Sequence, residues 1–369
     1  MARLGLGGAW RCVYANDNCS KKAASYRANF RRAKELDVRD VAEVTIERLP
    51  GRADLMWGSF PCQDLSLAGQ GAGLDGRRSG TFWPFMELVD DLGREGREPR
   101  LIVLENVVGA LTSHSGMDFC AIIKSLVDEG YAAGALVVDS VLFVPQSRPR
   151  LFVVAVSADV RIPERLRANG PSLLWHPKNL RRAYSALPGT AKRGWVWWDL
   201  PAPPQRTGTL LDLVEQTPQG VRWHTEEQTA RLLSLMSSCN LDKVRRALAS
   251  GTRMVGAVYK RTRREDGVKR QRAEVRFDGI SGCLRTPAGG SSRQELLFVE
   301  EGAVRTRLLS AREAARLMGV PDSYGLPSSY NEAYHLMGDA LVVPVVSWIE
   351  QHLLRPLVRP QTERVQGGP

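Results

Sequence analysis

Between Trp10 and about Ser157 short apolar runs alternate with amphipathic stretches, and this alternation constrains the fold more than any other feature of the chain. Residues 11–15, 53–59, 100–106 and 150–157 read as strands, while 19–34, 81–92 and 118–129 carry apolar residues at three- and four-residue spacing. Strands separated by helices call for a mostly parallel α/β sheet. Ligands of such sheets bind beyond the carboxyl ends of the strands. That rule singles out Phe60-Pro61-Cys62-Gln63 and Glu105-Asn106-Val107, each placed where an apolar run stops.

After about residue 158 the rhythm is lost, and a second, irregular unit begins, marked by Trp195-Val196-Trp197-Trp198 and Pro201-Ala202-Pro203-Pro204. Between Arg253 and Arg276 nine Lys/Arg stand against three acidic residues, over half of the chain's net charge of +11. Glu265-Asp266-Gly267 reads as a turn between two strands, so this stretch is either a solvated hairpin or a phosphate-tracking surface. A glycine-rich loop, Thr286-Pro287-Ala288-Gly289-Gly290-Ser291-Ser292-Arg293-Gln294, follows. Ser310 and Glu313 have capping-box spacing and open a helix that Gly319 ends. Residues 340–354 read as a buried strand or helix broken by Pro344.

At 369 residues, 43% of them hydrophobic, the chain is long enough for two domains with a sizeable core, which excludes a peptide toxin or a disordered tail. No run approaches the roughly 18 apolar residues of a membrane helix, and the N-terminus lacks a signal-type apolar segment. The expected location is the cytoplasm. The six cysteines (Cys12, Cys19, Cys62, Cys120, Cys239, Cys283) include no CxxC pair, so no zinc site or disulfide framework is expected and metal ligands are assigned to none. Any special cysteine must act singly. The basic balance favours a polyanionic partner.

Cys62 follows an apolar strand and precedes a loop rich in glycine (Gly69, Gly71, Gly73, Gly76). A free thiol has a pKa of about 8.5, so a nucleophile at neutral pH needs nearby positive charge. Arg148 and Arg150, at the opening of another strand, are candidates for that field; a small buried hydrophobe is the other reading of Cys62. Glu105 follows Leu101-Ile102-Val103-Leu104, a setting that desolvates a carboxyl group and raises its pKa. A protonated glutamate can donate a hydrogen bond to a ring nitrogen, although a helix N-cap or surface acid would look the same in sequence.

Taken in order, Pro61-Cys62-Gln63, Glu105-Asn106-Val107 and Gln146-Ser147-Arg148-Pro149-Arg150 resemble the PCQ, ENV and QxRxR series of bacterial and phage DNA (cytosine-5)-methyltransferases. The run from Arg307 to Asp322 looks like that family's ninth motif, and Gly338-Asp339-Ala340-Leu341-Val342-Val343-Pro344-Val345 is similar to its tenth. The resemblance implies a Rossmann-like S-adenosylmethionine-dependent domain at 1–158, a smaller target-recognition domain at 159–324, a segment at 325–358 returning to the catalytic domain and a tail at 359–369. It implies double-stranded DNA as partner, a cognate restriction endonuclease as companion, and a nucleoid-associated monomer.

By that resemblance the Cys62 thiolate adds to carbon 6 of a flipped cytosine while Glu105 holds or protonates N3. Arg148 braces the base, and Arg150 supports it from behind. Carbon 5 then takes the methyl group, and loss of its proton and of Cys62 restores the ring. Flipping is required because the atom is inaccessible inside a duplex. Asp17 occupies the position that meets the cofactor's ribose, Asp40-Val41 the adenine position, and Pro61, Asp339 and Ala340 complete the cofactor set. Asp339 stands where the family more often has asparagine. For DNA the resemblance and the charge pattern nominate Gln63, Arg78, Gln146, Arg261, Arg263, Arg264, Arg285 and Arg293, with Arg77, Thr286, Ser291 and Ser292 beside them. The segment from Gln63 to Ser79 is similar in place to the family's loop that closes over substrate.

The family opens with a strand and a Phe-x-Gly-x-Gly turn under the methionine part of the cofactor, whereas residues 1–8 resemble the helix after that turn. The expectation is a sheet without its central strand, with two neighbouring edges exposed, and a 369-residue chain that binds S-adenosylmethionine weakly unless extended upstream. Two further readings compete with a DNA methyltransferase: a catalytically impaired DNA-binding remnant, and a tRNA-directed branch of the same family, which usually carries a smaller middle region.

Overall fold

The computed structural model describes residues 1–60, 81–265, 267–286 and 293–358. Helix α1 (Ala2–Leu6) precedes a short parallel pair, β1 (Ala15–Asn16) and β2 (Leu36–Asp37), joined through α2 (Ser20–Asn29). Then follow β3 (Leu55–Ser59), α3 (Phe82–Arg94), β4 (Leu101–Val107), α4 (Met117–Asp128), β5 (Ala132–Asp139) and β6 (Pro149–Val156).

The main sheet has four strands in the order β3-β4-β6-β5. Only β3 and β4 run parallel; β6 is antiparallel to both neighbours, so the sheet is mixed where the sequence suggested a mostly parallel one. The reason is the connection from β5 to β6, from Ser140 to Arg148, which has no room for a crossover helix and therefore returns the chain antiparallel. The β1–β2 pair is not joined to this sheet, so among the described residues β1 and β3 each keep one edge without a strand partner.

Alternation along β4 sends Leu101 and Val103 to one side of the sheet and Ile102 and Leu104 to the other. The second side is covered by α3, through Phe82, Met86 and Val89, and by α4, through Phe119, Ile122, Ile123 and Leu126. These spacings of three and four residues line up one apolar stripe per helix.

The middle of the chain contributes β7 (Arg167–Ala168), α5 (Lys178–Ala186), α6 (Gly189–Arg193), β8 (Trp197–Trp198), α7 (Leu210–Leu213), α8 (Glu226–Ser234) and α9 (Ser238–Ala249). A second, wholly antiparallel sheet follows, of β9 (Met254–Glu265), β10 (Val268–Arg276), β11 (Glu295–Glu300) and β12 (Ala303–Leu308), ordered β10-β9-β11-β12. Val258, Ala273, Val275, Leu297 and Val299 of this sheet pack with Leu232 of α8 and Val244 and Ala247 of α9.

The chain ends in α10 (Ala311–Leu317), α11 (Tyr330–Asp339) and α12 (Val343–Ile349), whose apolar residues join the core on the first side of the main sheet. The capping box forms as expected: the Ser310 hydroxyl accepts from the Glu313 amide, and the Glu313 carboxylate accepts from the Ser310 amide. Pro344, expected to break the last apolar run, lies in the first turn of α12, where a missing N–H costs nothing. Gly5 is required by close packing of α1 on α12, since a Cβ there would lie 2.4 Å from that of Val346.

Candidate active site

The sheet topology alone gathers three of the sequence motifs. Parallel β3 and β4 end side by side, with Ser59 opposite Glu105, and antiparallel β6 begins where β4 ends, with Arg150 opposite Val107. Glu105-Asn106-Val107, the start of β6 and the residue leading into Pro61-Cys62 thus share one end of the sheet. Pro61, Cys62, Gln63, Arg77 and Arg78, like Ser291 and Ser292, lie outside the described residues.

Glu105 is buried, and burial pushes its carboxyl above the usual range against the pull of Arg150, Arg148 and the Ser59 hydroxyl. Its Oε1 lies 3.2 Å from Arg150 Nε. The environment therefore favours a proton on Glu105 while keeping a guanidinium at hand, a combination that suits hydrogen-bond donation to a substrate nitrogen. Asn106, also buried, donates through Nδ2 to the Phe60 carbonyl (3.2 Å) and accepts from the Val107 amide (2.8 Å). It fixes the carbonyl that immediately precedes Pro61-Cys62. Asn106 belongs to the Glu105-Asn106-Val107 motif, but its anchoring of Phe60, like the Ser59 hydroxyl, leaves no signal in sequence beyond position at a strand end.

Arg148 is committed to the protein itself. The residue is 3% exposed, and its guanidinium donates from Nη1 to the Leu284 carbonyl (2.6 Å) and from Nη2 to the carbonyls of Gly338 (2.8 Å) and Ala340 (3.0 Å). It thereby ties the start of β6 to the 281–286 segment and to the end of α11. Nη1 also reaches Cys283 Sγ at 3.4 Å. Burial opposes ionisation of that thiol, but Arg148, Arg150 and Arg285 outweigh it and hold Cys283 below its ordinary value.

Gln146, nominated above for DNA, has no exposed surface: Nε2 donates to the Leu317 carbonyl (2.8 Å), and Oε1 accepts from the Leu284 amide (2.9 Å). Its amide is consumed in joining the 281–286 segment to α10, so it braces the protein instead of facing nucleic acid. Arg285 is exposed. Arg293 is engaged by Asn331 and lies over the Tyr330 ring at 5.5 Å. Arg261 and Arg263 both contact Glu274, whereas Arg264 is exposed on the other face of the same hairpin.

The residues nominated for a cofactor flank the β1–β2 pair. Asp17, directly after β1, accepts from the Cys19 amide through Oδ1 (2.8 Å). Asp40 caps the turn Val41–Glu43 by accepting from the Ala42 amide (3.1 Å). Asp339 is met by Lys22 Nζ at 2.9 Å and by the Thr286 hydroxyl, and Asp17 adds to the field on Lys22. Asp17 and Asp339 are therefore drawn together electrostatically around one lysine of α2, and the carboxylate set suits hydroxyl and amine groups of a ligand. Among the described residues no cluster of potential metal ligands occurs, the five described cysteines are free, and no helix is long and apolar enough to cross a membrane.

Comparison with known proteins decides the family, because the profile of the C-5 cytosine-specific DNA methylases matches residues 2–355, nearly the whole chain. The chain belongs to this family. The methylase is 24% identical over 348 residues to the type II methyltransferase M.HhaI of Haemophilus parahaemolyticus, covering 93% of this chain and 87% of that one. It is 23% identical to M.HpaII of Haemophilus parainfluenzae, covering 97% and 86%. In fold the methylase is similar to a DNMT2 of Spodoptera frugiperda, with a TM-score of 0.60 at 17% identity over 94% of this chain and 95% of that one. The Rossmann-like methyltransferase class expected from the motifs is the class observed, and the chain falls with the DNA (cytosine-5)-methyltransferases.

Proposed function

We propose that the chain methylates carbon 5 of cytosine in double-stranded DNA, using S-adenosylmethionine and a covalent adduct to Cys62. The observation that carries the reading is Glu105, buried, its carboxyl pushed above the usual range, with Arg150 at 3.2 Å, on the strand end beside the one that leads into Cys62. The Cys62 thiolate adds to carbon 6 of the flipped base, and the electron pair displaced onto the ring is held by the proton that Glu105 places on N3. Carbon 5 becomes nucleophilic. S-Adenosylmethionine, when bound, supplies the methyl group from its sulfonium, which leaves as a neutral thioether. Loss of the carbon-5 proton to a base, departure of Cys62 as thiolate and return of the N3 proton to Glu105 restore the aromatic ring.

In this scheme Arg150, not Arg148, is the guanidinium next to the pyrimidine, because it is the one whose Nε reaches Glu105. Arg148 positions the walls of the pocket through its carbonyl contacts. Asp17 would take the ribose hydroxyls, Asp40 and Val41 the adenine side, and Asp339 with Lys22 the region between. The type II names of the relatives favour DNA and pairing with a restriction endonuclease; the DNMT2 likeness concerns fold alone. Residues 1–158, 159–324 and 325–358 are assigned as catalytic domain, target-recognition domain and returning segment.

The test is methylation-sensitive sequencing of DNA from cells with and without the gene, alongside the Cys62→Ser variant. A set of cytosines methylated only with the intact gene supports the reading. No new methylation in DNA, with methyl transfer to RNA instead, would replace it by the RNA-directed one.

A further inference from the structure

The pairing of β9 with β11 stops at Val258, opposite Glu295, yet β9 and β10 continue together to Glu265 and Val268. From Tyr259 onward the two strands therefore project from the sheet as a ribbon, about 20 Å long at the usual rise per residue. Cross-strand register places Arg261 opposite Arg272 and Arg263 opposite Arg270, all on the face that also carries Tyr259. Like charges directly opposite one another destabilise a ladder. Four arginines so arranged serve no apolar core: their side chains are 51%, 32%, 50% and 57% exposed in the order named.

Two glutamates on the same face relieve the repulsion. Glu274 lies 3.7 Å from Arg261 Nε and pairs with Arg263, while Glu265 lies 4.0 Å from Arg270 Nε and pairs with Arg272. Both carboxyls are held below their usual range, Glu265 by Arg272 first and Glu274 by Arg263 and Arg261 against burial. At its root the face meets the candidate active site. Arg261 stacks over the Tyr259 ring at 4.7 Å, and that ring lies against Gly282, next to the Cys283 that Arg148 holds.

We propose that this face is a phosphate track for duplex DNA in which Glu265 and Glu274 occupy the arginines until phosphates displace them. The inference takes its partner from the DNA reading above. Exposed ion pairs contribute little to stability, so exchanging them for phosphate contacts costs the protein little while releasing counterions from DNA. Arg264 and Lys269 pair on the opposite face and lie off the track.

Binding of the full chain to a short fluorescent duplex over a potassium chloride series tests this. Glu265→Gln with Glu274→Gln should tighten binding on the order of tenfold, by removing the competitors. Arg261→Ala with Arg263→Ala should weaken it and make the slope of log affinity against log salt shallower by about two. Arg264→Ala should leave the slope close to that of the unaltered chain. Because the ribbon stands beyond the core, thermal unfolding of each variant should match the parent. Glutamine variants that bind no tighter, or an equal slope change from Arg264→Ala, would overturn the proposal. Methyl transfer measured on the same samples separates the two readings: methylation without a glutamate effect removes the track alone, and a glutamate effect without methylation removes the proposed activity alone.

Discussion

Arg150 and Glu105 stand 3.2 Å apart at the end of the main sheet, joined from neighbouring strands that run in opposite directions. Burial and this pairing act against each other on the carboxyl, and burial prevails. A carboxyl whose folded pKa is raised binds its proton more tightly in the folded state than in the unfolded one. Its contribution to stability is therefore full at low pH and is lost as pH rises from the ordinary glutamate value through the raised one. Glu105→Gln, which mimics the protonated form in shape and charge but has no exchangeable acid, should keep or raise the melting temperature at pH 8. It should slow methyl transfer by a hundredfold or more, in keeping with loss of general-acid assistance. Single-turnover kinetics with parallel calorimetry check both halves, and a near-normal rate would remove Glu105 from the chemistry.

Arg150→Ala and Arg148→Ala should fail differently. Loss of Arg150 leaves the fold in place and lowers the rate, with a shift in the pH profile because the guanidinium no longer opposes protonation of Glu105. Loss of Arg148 strands the carbonyls of Leu284, Gly338 and Ala340, and should destabilise the protein by about 3 kcal/mol by the usual cost of unsatisfied buried acceptors. Denaturant titrations paired with pH–rate profiles distinguish the two. Identical behaviour would contradict the division of labour.

Much of this was legible in the sequence for identifiable reasons. The apolar runs of β4 and β6 stand out because burial on both faces demands them, and Ser310–Glu313 announces a helix start because both side chains are needed to satisfy the same end. β5 is faint in sequence because its first four residues, Ala132-Ala133-Gly134-Ala135, are small, and the branched residues that mark strands come only at Val137 and Val138. Pro344 reads as a breaker in sequence because proline breaks a helix interior, yet it suits the first turn, where the structure has it. The fates of Gln146 and Arg148 were invisible for another reason: their partners are carbonyls and amides more than 130 residues away, and backbone groups leave no trace in a side-chain pattern.

Arg307 and Glu313 form a fully buried, two-pronged ion pair, with Nη1 to Oε2 at 2.8 Å and Nη2 to Oε1 at 2.6 Å. The same carboxylate accepts from the amides of Ser310 (2.8 Å) and Glu215 (2.9 Å), which fastens β12, α10 and the chain after α7 to one another. Removing one partner of such a pair leaves an uncompensated charge, so Glu313→Ala should cost about 3–5 kcal/mol. Urea unfolding measures it. A loss below about 1 kcal/mol, the range of an exposed pair, would show that the network is not the fastening described.

His176 is buried against Trp197, with ring centroids 4.8 Å apart, and its Nδ1 accepts from the Ser172 amide (2.9 Å). Burial lowers its pKa to about 4. A base with a depressed folded pKa takes up its proton more readily when unfolded, so stability should fall as pH drops from about 6.5 toward 4. Melting temperatures across that window should decline in the parent and decline less in His176→Phe. Parallel curves would show that another group governs the acid limb.

The central claim is that position 62 bonds to an extruded cytosine. Incubation with S-adenosylmethionine and a duplex carrying 5-fluorocytosine at a methylated site blocks the last step, since fluorine cannot leave as the proton does. The account predicts a denaturation-resistant protein–DNA adduct with the intact chain and none with Cys62→Ser. If no adduct forms under conditions where the chain methylates ordinary DNA, the covalent mechanism proposed here is wrong.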